Sequence, residues 1–171
     1  MSAKNISIDE AKKDKLFYFV ANAVIYRSSD KRCLILKRSA REKVHPGKWA
    51  VPGGKLEWGD MDLSKPTRLN GEVIDFEDAV ERLLEREVFE EAGVRVDGPL
   101  HFINDVAFVR PDGIPVVLIK FAVKYKSGEV KLEPGAFDDF AWVNSKEVKD
   151  YDCIDGVSEE VDITISLYSK Q

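Results

Sequence analysis

The chain has 171 residues, 44% hydrophobic and 33% charged, enough for one soluble domain with a core. Its net charge of −5 argues against a general nucleic-acid binder, which needs a basic face, so no specific nucleic-acid partner is expected. Cys33 and Cys153 form no CxxC pair, which excludes a disulfide framework and points to a reducing, cytoplasmic setting.

Taken in chain order, residues 1–14 are a polar lead-in. The opening MSAKNISIDEAKKDK has no apolar h-region, so no secretory signal is expected. No apolar run approaches the roughly 18 residues of a membrane span. KLFYFVANAVIYR (15–27) is aromatic and β-branched and reads as a strand buried on both faces. SSDK turns the chain, and RCLILKR (32–38) is its hairpin partner. After a polar loop, WAVPGGKLEWGD (49–60) reads as a short strand broken by Pro52 and two glycines, then another short extended piece.

Residues 61–75 look inserted, and Asn70-Gly71 predicts a hairpin turn within them. DFEDAVERLLEREVFEEAGV (75–94) reads as an amphipathic helix, with Asp75 as N-cap and Gly93 as its stop. LHFINDVAFV (100–109) and IPVVLIKFAVKY (114–125) read as a second hairpin, closed by a strand at DDFAWVN (138–144). A short helix capped by Ser145 follows. Residues 156–168 read as a helix with Val157, Val161, Ile165 and Tyr168 on one side, although alternation through Ile163, Ile165 and Leu167 competes. The pattern is a mixed sheet with helices packed on it.

The long helix carries the chemistry. Phe76, Val80, Leu83 and Leu84 form an apolar stripe, and the next positions along it are Glu87, Glu90 and Glu91. Like charges at this spacing repel, burial strips their water, and the C-terminal dipole disfavours anions. A cation would offset all three costs, and oxygen-only ligands suit a hard divalent ion. On ExxEE alone, a solvated acidic helix end is the simpler reading.

The upstream residues add to this. Gly53-Gly54 after Pro52 permits a tight turn with exposed backbone groups. Together, W-x-V-P-G-G (49–54), Arg86-Glu87-Val88-Phe89-Glu90-Glu91-Ala92-Gly93-Val94 and the downstream DFAWV (139–143) resemble the Nudix hydrolase family. The first half of its signature, Gly, five residues, Glu, is met by Gly54 and Asp60. Asp78 also stands seven residues before Arg86, so the middle acid has two candidate positions, both Asp. The signature is split by 18 extra residues, placed at 61–78.

The resemblance implies an α+β Nudix fold, an α/β/α sandwich with a mixed β-sheet flanked by helices, spanning 1–171 as one domain. It implies a pyrophosphohydrolase that cleaves a nucleoside diphosphate linked to another group, with Mg2+ or Mn2+ as cofactor. Metal ligands would be Glu87, Glu90 and Glu91, completed by a backbone carbonyl at Gly54. Arg86 would orient a glutamate, and Glu87 or Glu90 would take a proton from the attacking water. Some members use a later loop for that base, which makes Glu133, Asp138 and Asp139 candidates.

Gly53, Arg38, Arg41 and Lys48 are candidate substrate contacts, and Phe17, Phe19, Trp58, Phe108 and Phe137 candidate stacking rings. His45 and His101 read as structural. A homodimer is a further possibility, with the insertion as lid, pocket wall or dimer contact. A non-catalytic nucleotide sensor is the alternative function, and a prenyl-diphosphate isomerase a third, for which Cys33 lies in the wrong context.

Overall fold

The computed structural model describes residues 17–110 and 113–170, so the predicted polar lead-in lies outside the described residues. The strands are β1 (Tyr18–Arg27), β2 (Arg32–Arg38), β3 (Trp49–Ala50), β4 (Gly53–Lys55), β5 (Arg68–Asn70), β6 (Val73–Asp75), β7 (Arg95–Val109), β8 (Pro115–Ser127) and β9 (Phe137–Val143). The helices are α1 (Ala79–Ala92) and α2 (Val157–Ser169). Seven strands form one mixed sheet in the order β3-β2-β1-β8-β7, with β4 added to β1 and β9 to β2. β5 and β6 form a separate hairpin.

Strand alternation explains the layers. In β1 the odd residues Ala21, Ala23 and Ile25 face α1, where Leu83, Leu84 and Val88 meet them. The even residues Val24 and Tyr26 face the other side, packed with Val157, Val161 and Tyr168 of α2. A strand covered on both faces needs the continuous apolar run that β1 has. No described helix is long and apolar enough to cross a membrane.

One edge of β1 is shared. Tyr26 and Arg27 pair with β2, whereas Val20, Ala21 and Asn22 pair with Lys55, Gly54 and Gly53 of β4. Between them the Ala23 amide donates to the Pro52 carbonyl at 2.9 Å. The two-glycine turn thus enters the middle of the sheet, beside the C-terminal half of α1.

Several local expectations are corrected. α1 begins at Ala79, not near Asp75, because Asp75 is spent in β6 on an ion pair with Arg68 at 3.0 Å. Asn70 pairs with Val73, so the turn residues are Gly71 and Glu72, one step later than expected. Residues 58–60 form a 3-10 turn, not an extended piece. β9 does not close the second hairpin but runs antiparallel to β2. The short helix after it is a 3-10 turn, Glu147–Asp150, and the Asn144 side chain, not Ser145, accepts from its first amides.

Candidate active site

α1 ends on Gly93 in the left-handed region (φ 69), whose amide donates to the Phe89 carbonyl. The next orphan carbonyls, Glu91 and Ala92, accept from the amides of Glu133 and Lys131 at 3.1 and 2.9 Å. A loop is thereby tied to the acidic end of the helix. It brings Glu133 near enough for its charge to oppose ionisation of Glu91.

Glu91 Oε2 accepts from the Gly53 amide at 2.9 Å. Burial is the main cause that pushes its carboxyl up to about 8, against this hydrogen bond. Gly54 abuts Glu87: a Cβ added there would lie 2.1 Å from the carboxylate. No side chain larger than hydrogen fits. Glu87 is 15% exposed and its carboxyl is also raised by burial, with Arg86 pulling the other way. Glu90 is 54% exposed.

Arg86 ties these acids together. Its Nε and Nη2 donate to Asp60 at 2.9 and 3.1 Å, while Nη1 donates to Glu87 at 2.9 Å and Glu90 at 3.1 Å. Although burial disfavours its charge, these carboxylates raise the guanidinium pKa. Asp60 is held in turn by the Glu57 amide, which donates to Oδ2 at 2.8 Å. Of the two candidate middle acids, Asp60 is therefore the one beside Arg86. Asp78 sits at the helix start with φ 55 and makes no capping hydrogen bond. Asp60 was not among the expected site residues, although its spacing from Gly54 pointed to it.

The other expected contacts divide. Arg38 and Arg41 line a cavity of about 520 Å3 with Tyr18, Lys55, Phe108 and Arg110. Lys55 and Arg110 each lie over the Tyr18 ring, at 5.3 and 5.9 Å. Arg38 also pairs with Glu42 at 2.6 Å, and its charge reaches Glu91, favouring the ionised form. Lys48 lines neither this cavity nor the carboxylate cluster. It pairs with Asp152 at 2.5 Å, fastening the loop before α2.

Phe137 is buried in the core, packed with the residues under α1. Asp138 accepts from the Ala40 amide at 3.3 Å, and Asp139 from the adjacent Phe140 amide at 2.8 Å. His101 packs edge-on against Tyr168, and His45 lies exposed in a loop.

The site's fitness for a divalent ion follows from its donors. Among the described residues, no three acid, imidazole or thiol groups are gathered tightly enough to make a ready-formed metal site. Arg86 engages Glu87 and Glu90. The donors are nevertheless all oxygen, and two, Glu87 and Glu91, are part-buried carboxyls whose ionisation desolvation resists. That is the chemistry a hard cation relieves.

This arrangement, a carboxylate-bearing helix end locked onto a two-glycine turn in a mixed sheet, is the one that the resemblance to hydrolases acting on phosphoanhydrides implies. The NUDIX domain model matches residues 18–161, and the chain belongs to the Nudix family as a pyrophosphohydrolase of that class. It is similar to the nucleoside triphosphatase NudI of Klebsiella pneumoniae strain 342, at 29% identity over 128 residues, covering 70% of this chain and 77% of the relative. NudI of Escherichia coli K12 is 27% identical over 133 residues, covering 72% and 81%.

Among solved structures, the MutT protein of Methanosarcina mazei aligns with TM-score 0.61 at 20% identity, covering 94% of this chain and 100% of that one. The NUDIX domain of Shewanella oneidensis NrtR, complexed with ADP ribose, aligns with TM-score 0.62 at 14% identity, covering 98% and 94%. At these identities the structural likeness shows the fold. Nudix hydrolases as a family use divalent metal ions.

Proposed function

We propose that the chain hydrolyses the diphosphate linkage of a nucleoside diphosphate joined to another group, the class that includes nucleoside triphosphates, ADP-ribose and nucleotide sugars. The observation that carries this reading is the contact of Glu91 with the Gly53 amide and of Glu87 with Gly54. The nucleoside triphosphatase relatives and the ADP-ribose-bound neighbour support a nucleotide-type substrate.

Glu87, Glu90 and Glu91, with the Gly54 carbonyl, would hold Mg2+ or Mn2+. Such an ion, when bound, neutralises phosphate oxygens and lowers the pKa of a bound water. The remaining work falls to the chain. Asp60 fixes Arg86, and Arg86 orients Glu87 and Glu90, so the carboxylates are set before substrate arrives. Arg38, Arg41 and Lys55 line one cavity, and Lys55 directly follows the two-glycine turn, which supports them as contacts for the phosphate chain. Water forms a new bond to phosphorus as the bridging P–O bond breaks, and its proton passes to a carboxylate. Glu87 and Glu90 are the candidates on the helix, and Glu133, whose amide donates to the Glu91 carbonyl, is the candidate on the loop.

The test is substitution of the helix acids. Glu90→Gln and Glu91→Gln should each lower kcat by on the order of a hundredfold or more, with the thermal midpoint little changed. Phosphate release is followed over nucleoside triphosphates, nucleotide sugars and ADP-ribose, with Mg2+ and with chelator. Full activity in either variant, or activity indifferent to chelator, defeats the reading.

A further inference from the structure

The apolar run of β1 is interrupted at Asn22, between Ala21 and Ala23, both of which are fully buried. A short carboxamide is a poor strand former, and the core gives it no role. Asn22 stands opposite Gly53 on β4, as Ala21 stands opposite Gly54. Alternation turns these two rungs to opposite faces of the sheet. A Cβ on Gly54 would lie 2.1 Å from the Glu87 carboxylate, on the α1 side. One on Gly53 would lie 2.4 Å from Asn22 Oδ1, on the α2 side, and 2.3 Å from the Ala21 carbonyl. Each glycine therefore leaves room for one polar side chain, and the carboxylate site accounts for Gly54 alone.

On the α2 side, the rung next to Asn22 is Val20 with Lys55, and both line the basic cavity with Arg38 and Arg41. On its other edge Asn22 lies beside Lys120 of β8, which stands opposite Asn104 of β7, so three polar residues cross the sheet in one row. Glu160 of α2 is ion-paired with Lys120, which cancels the charge of that row. Asn22 keeps its polar groups unspent. Its carboxamide makes no hydrogen bond to a described residue, and it is half-buried and open to solvent, unlike the sealed Glu160 Oε2. A neutral donor and acceptor, reachable and unpaired, one rung inward from a cavity lined by cations, are placed for a ligand.

We propose that Asn22 is a specificity-determining residue that hydrogen-bonds a sugar hydroxyl of the substrate, on the α2 side of the two-glycine turn. The proposal rests on the diphosphate-hydrolase reading above and names a contact to the group beside the phosphates. The chemistry selects a hydroxyl over a phosphate oxygen. A phosphate oxygen only accepts, so it would leave the Asn22 carbonyl idle, whereas a hydroxyl donates and accepts and can use either end of the carboxamide. Phosphates have their own partners in the adjoining cavity, where Arg38, Arg41 and Lys55 are gathered. With Lys120 neutralised by Glu160, no net charge stands beside Asn22 to draw an anion there.

The probes are the nucleoside triphosphates, each in its ribo, 2′-deoxy and 2′,3′-dideoxy form, with kcat/KM measured in Mg2+. The parent should lose about tenfold at one of the two steps that remove a hydroxyl, the worth of one hydrogen bond. Asn22→Ala should flatten that step while losing little on the form that already lacks the hydroxyl. Asn22→Val, which removes the same groups with a good strand former, should do likewise and carries the test if the alanine variant does not fold. Asn22→Asp keeps an accepting oxygen but adds a negative charge, so it should weaken all three forms and retain the step. A parent indifferent to both hydroxyls, a step that survives in Asn22→Ala and Asn22→Val, or an equal loss on all three forms in those variants overturns the proposal. If no probe is hydrolysed, the hydrolase reading fails on its own, and calorimetric titration of the same series then decides the contact by the same step.

Discussion

Two glutamates, Glu91 and Glu160, are both largely withdrawn from solvent, and their surroundings differ in what is supplied to balance their charge. Glu160 lies in the first turn of α2, where the helix dipole favours an anion, and it is ion-paired with Lys120 from β8. Glu91 lies one residue from the end of α1, where the dipole opposes it. Among the described residues its hydrogen-bond donor is a backbone amide, and two neighbouring acids, Glu87 and Glu133, raise its pKa further. Burial pushes both carboxyls upward. Among the described residues Glu160 is ion-paired with Lys120, whereas Arg38 acts on Glu91 through its charge alone. A buried acid supplied with an internal counter-ion is complete, whereas one set against the dipole and other acids is stable only as the neutral form or with a cation from outside.

The largest effect expected from this contrast is on stability against pH. The Glu91 carboxyl stands at about 8 in the folded chain against an ordinary 4.5. Between those values the folded state holds a proton that the unfolded chain has released. The stability contributed by Glu91 is therefore full below pH 4.5 and is lost as pH rises to about 8. At about 1.4 kcal/mol per unit from 4.5 to about 8, the loss is on the order of 5 kcal/mol without divalent ions. Denaturant unfolding in chelator between pH 5 and 8 measures it, and Glu91→Gln should remove most of the slope. A steep profile surviving in that variant would assign the burden to another acid.

Breaking the other half of the comparison should cost about as much. Lys120→Met leaves the Glu160 carboxylate buried without its cation, a change worth about 3–5 kcal/mol. Replacing both partners with apolar residues should recover most of it, because neither charge is then buried. Urea unfolding of the single and double variants reads the difference. If the single variant is as stable as the parent, Glu160 is not held as an ion.

These two acids were not equally legible. The glycine pair, the Arg86–Gly93 run and the apolar stripe of α1 are local patterns, and strands β1, β2 and β8 announce themselves by continuous apolar composition. Glu160 gave no signal, because its partner lies 40 residues away on a strand whose other residues suggest only core. The same physics explains the remaining misses. That β9 joins β2 is a non-local choice, and no turn chemistry encodes it. Lys48 and Phe137 were read by residue type, and long-range partners decided both: Asp152 for one, the core around α1 for the other. The late start of α1 follows from Asp75, a good cap that β6 had already used.

The turn side of the site is tested by Gly54→Ala. The added carbon would stand 2.1 Å from the Glu87 carboxylate, so Glu87 must move. A displacement of about an ångström at a catalytic group costs on the order of a hundredfold in rate. Turnover should fall by that amount, whereas the unfolding midpoint should change little, since the clash is relieved by a side chain at the edge of the core. A variant of normal activity would mean that Glu87 need not touch the turn.

The smallest effect separates the two candidate middle acids of the split signature. Asp60→Asn keeps the shape of the side chain but weakens both charge-assisted bonds to Arg86, which then orients Glu87 and Glu90 less firmly. Losing such a supporting partner typically costs about tenfold in activity. Asp78→Asn, at a helix start where the side chain caps nothing, should alter kcat/KM by less than about twofold. The reverse order would place the acid of the signature at the insertion's far end, and the inserted residues 61–78 would then have to bring it to Arg86. With Asp60 in that role, the chain leaves the signature only after its first half is already docked on the helix, so an added hairpin can be accommodated there without disturbing the carboxylates.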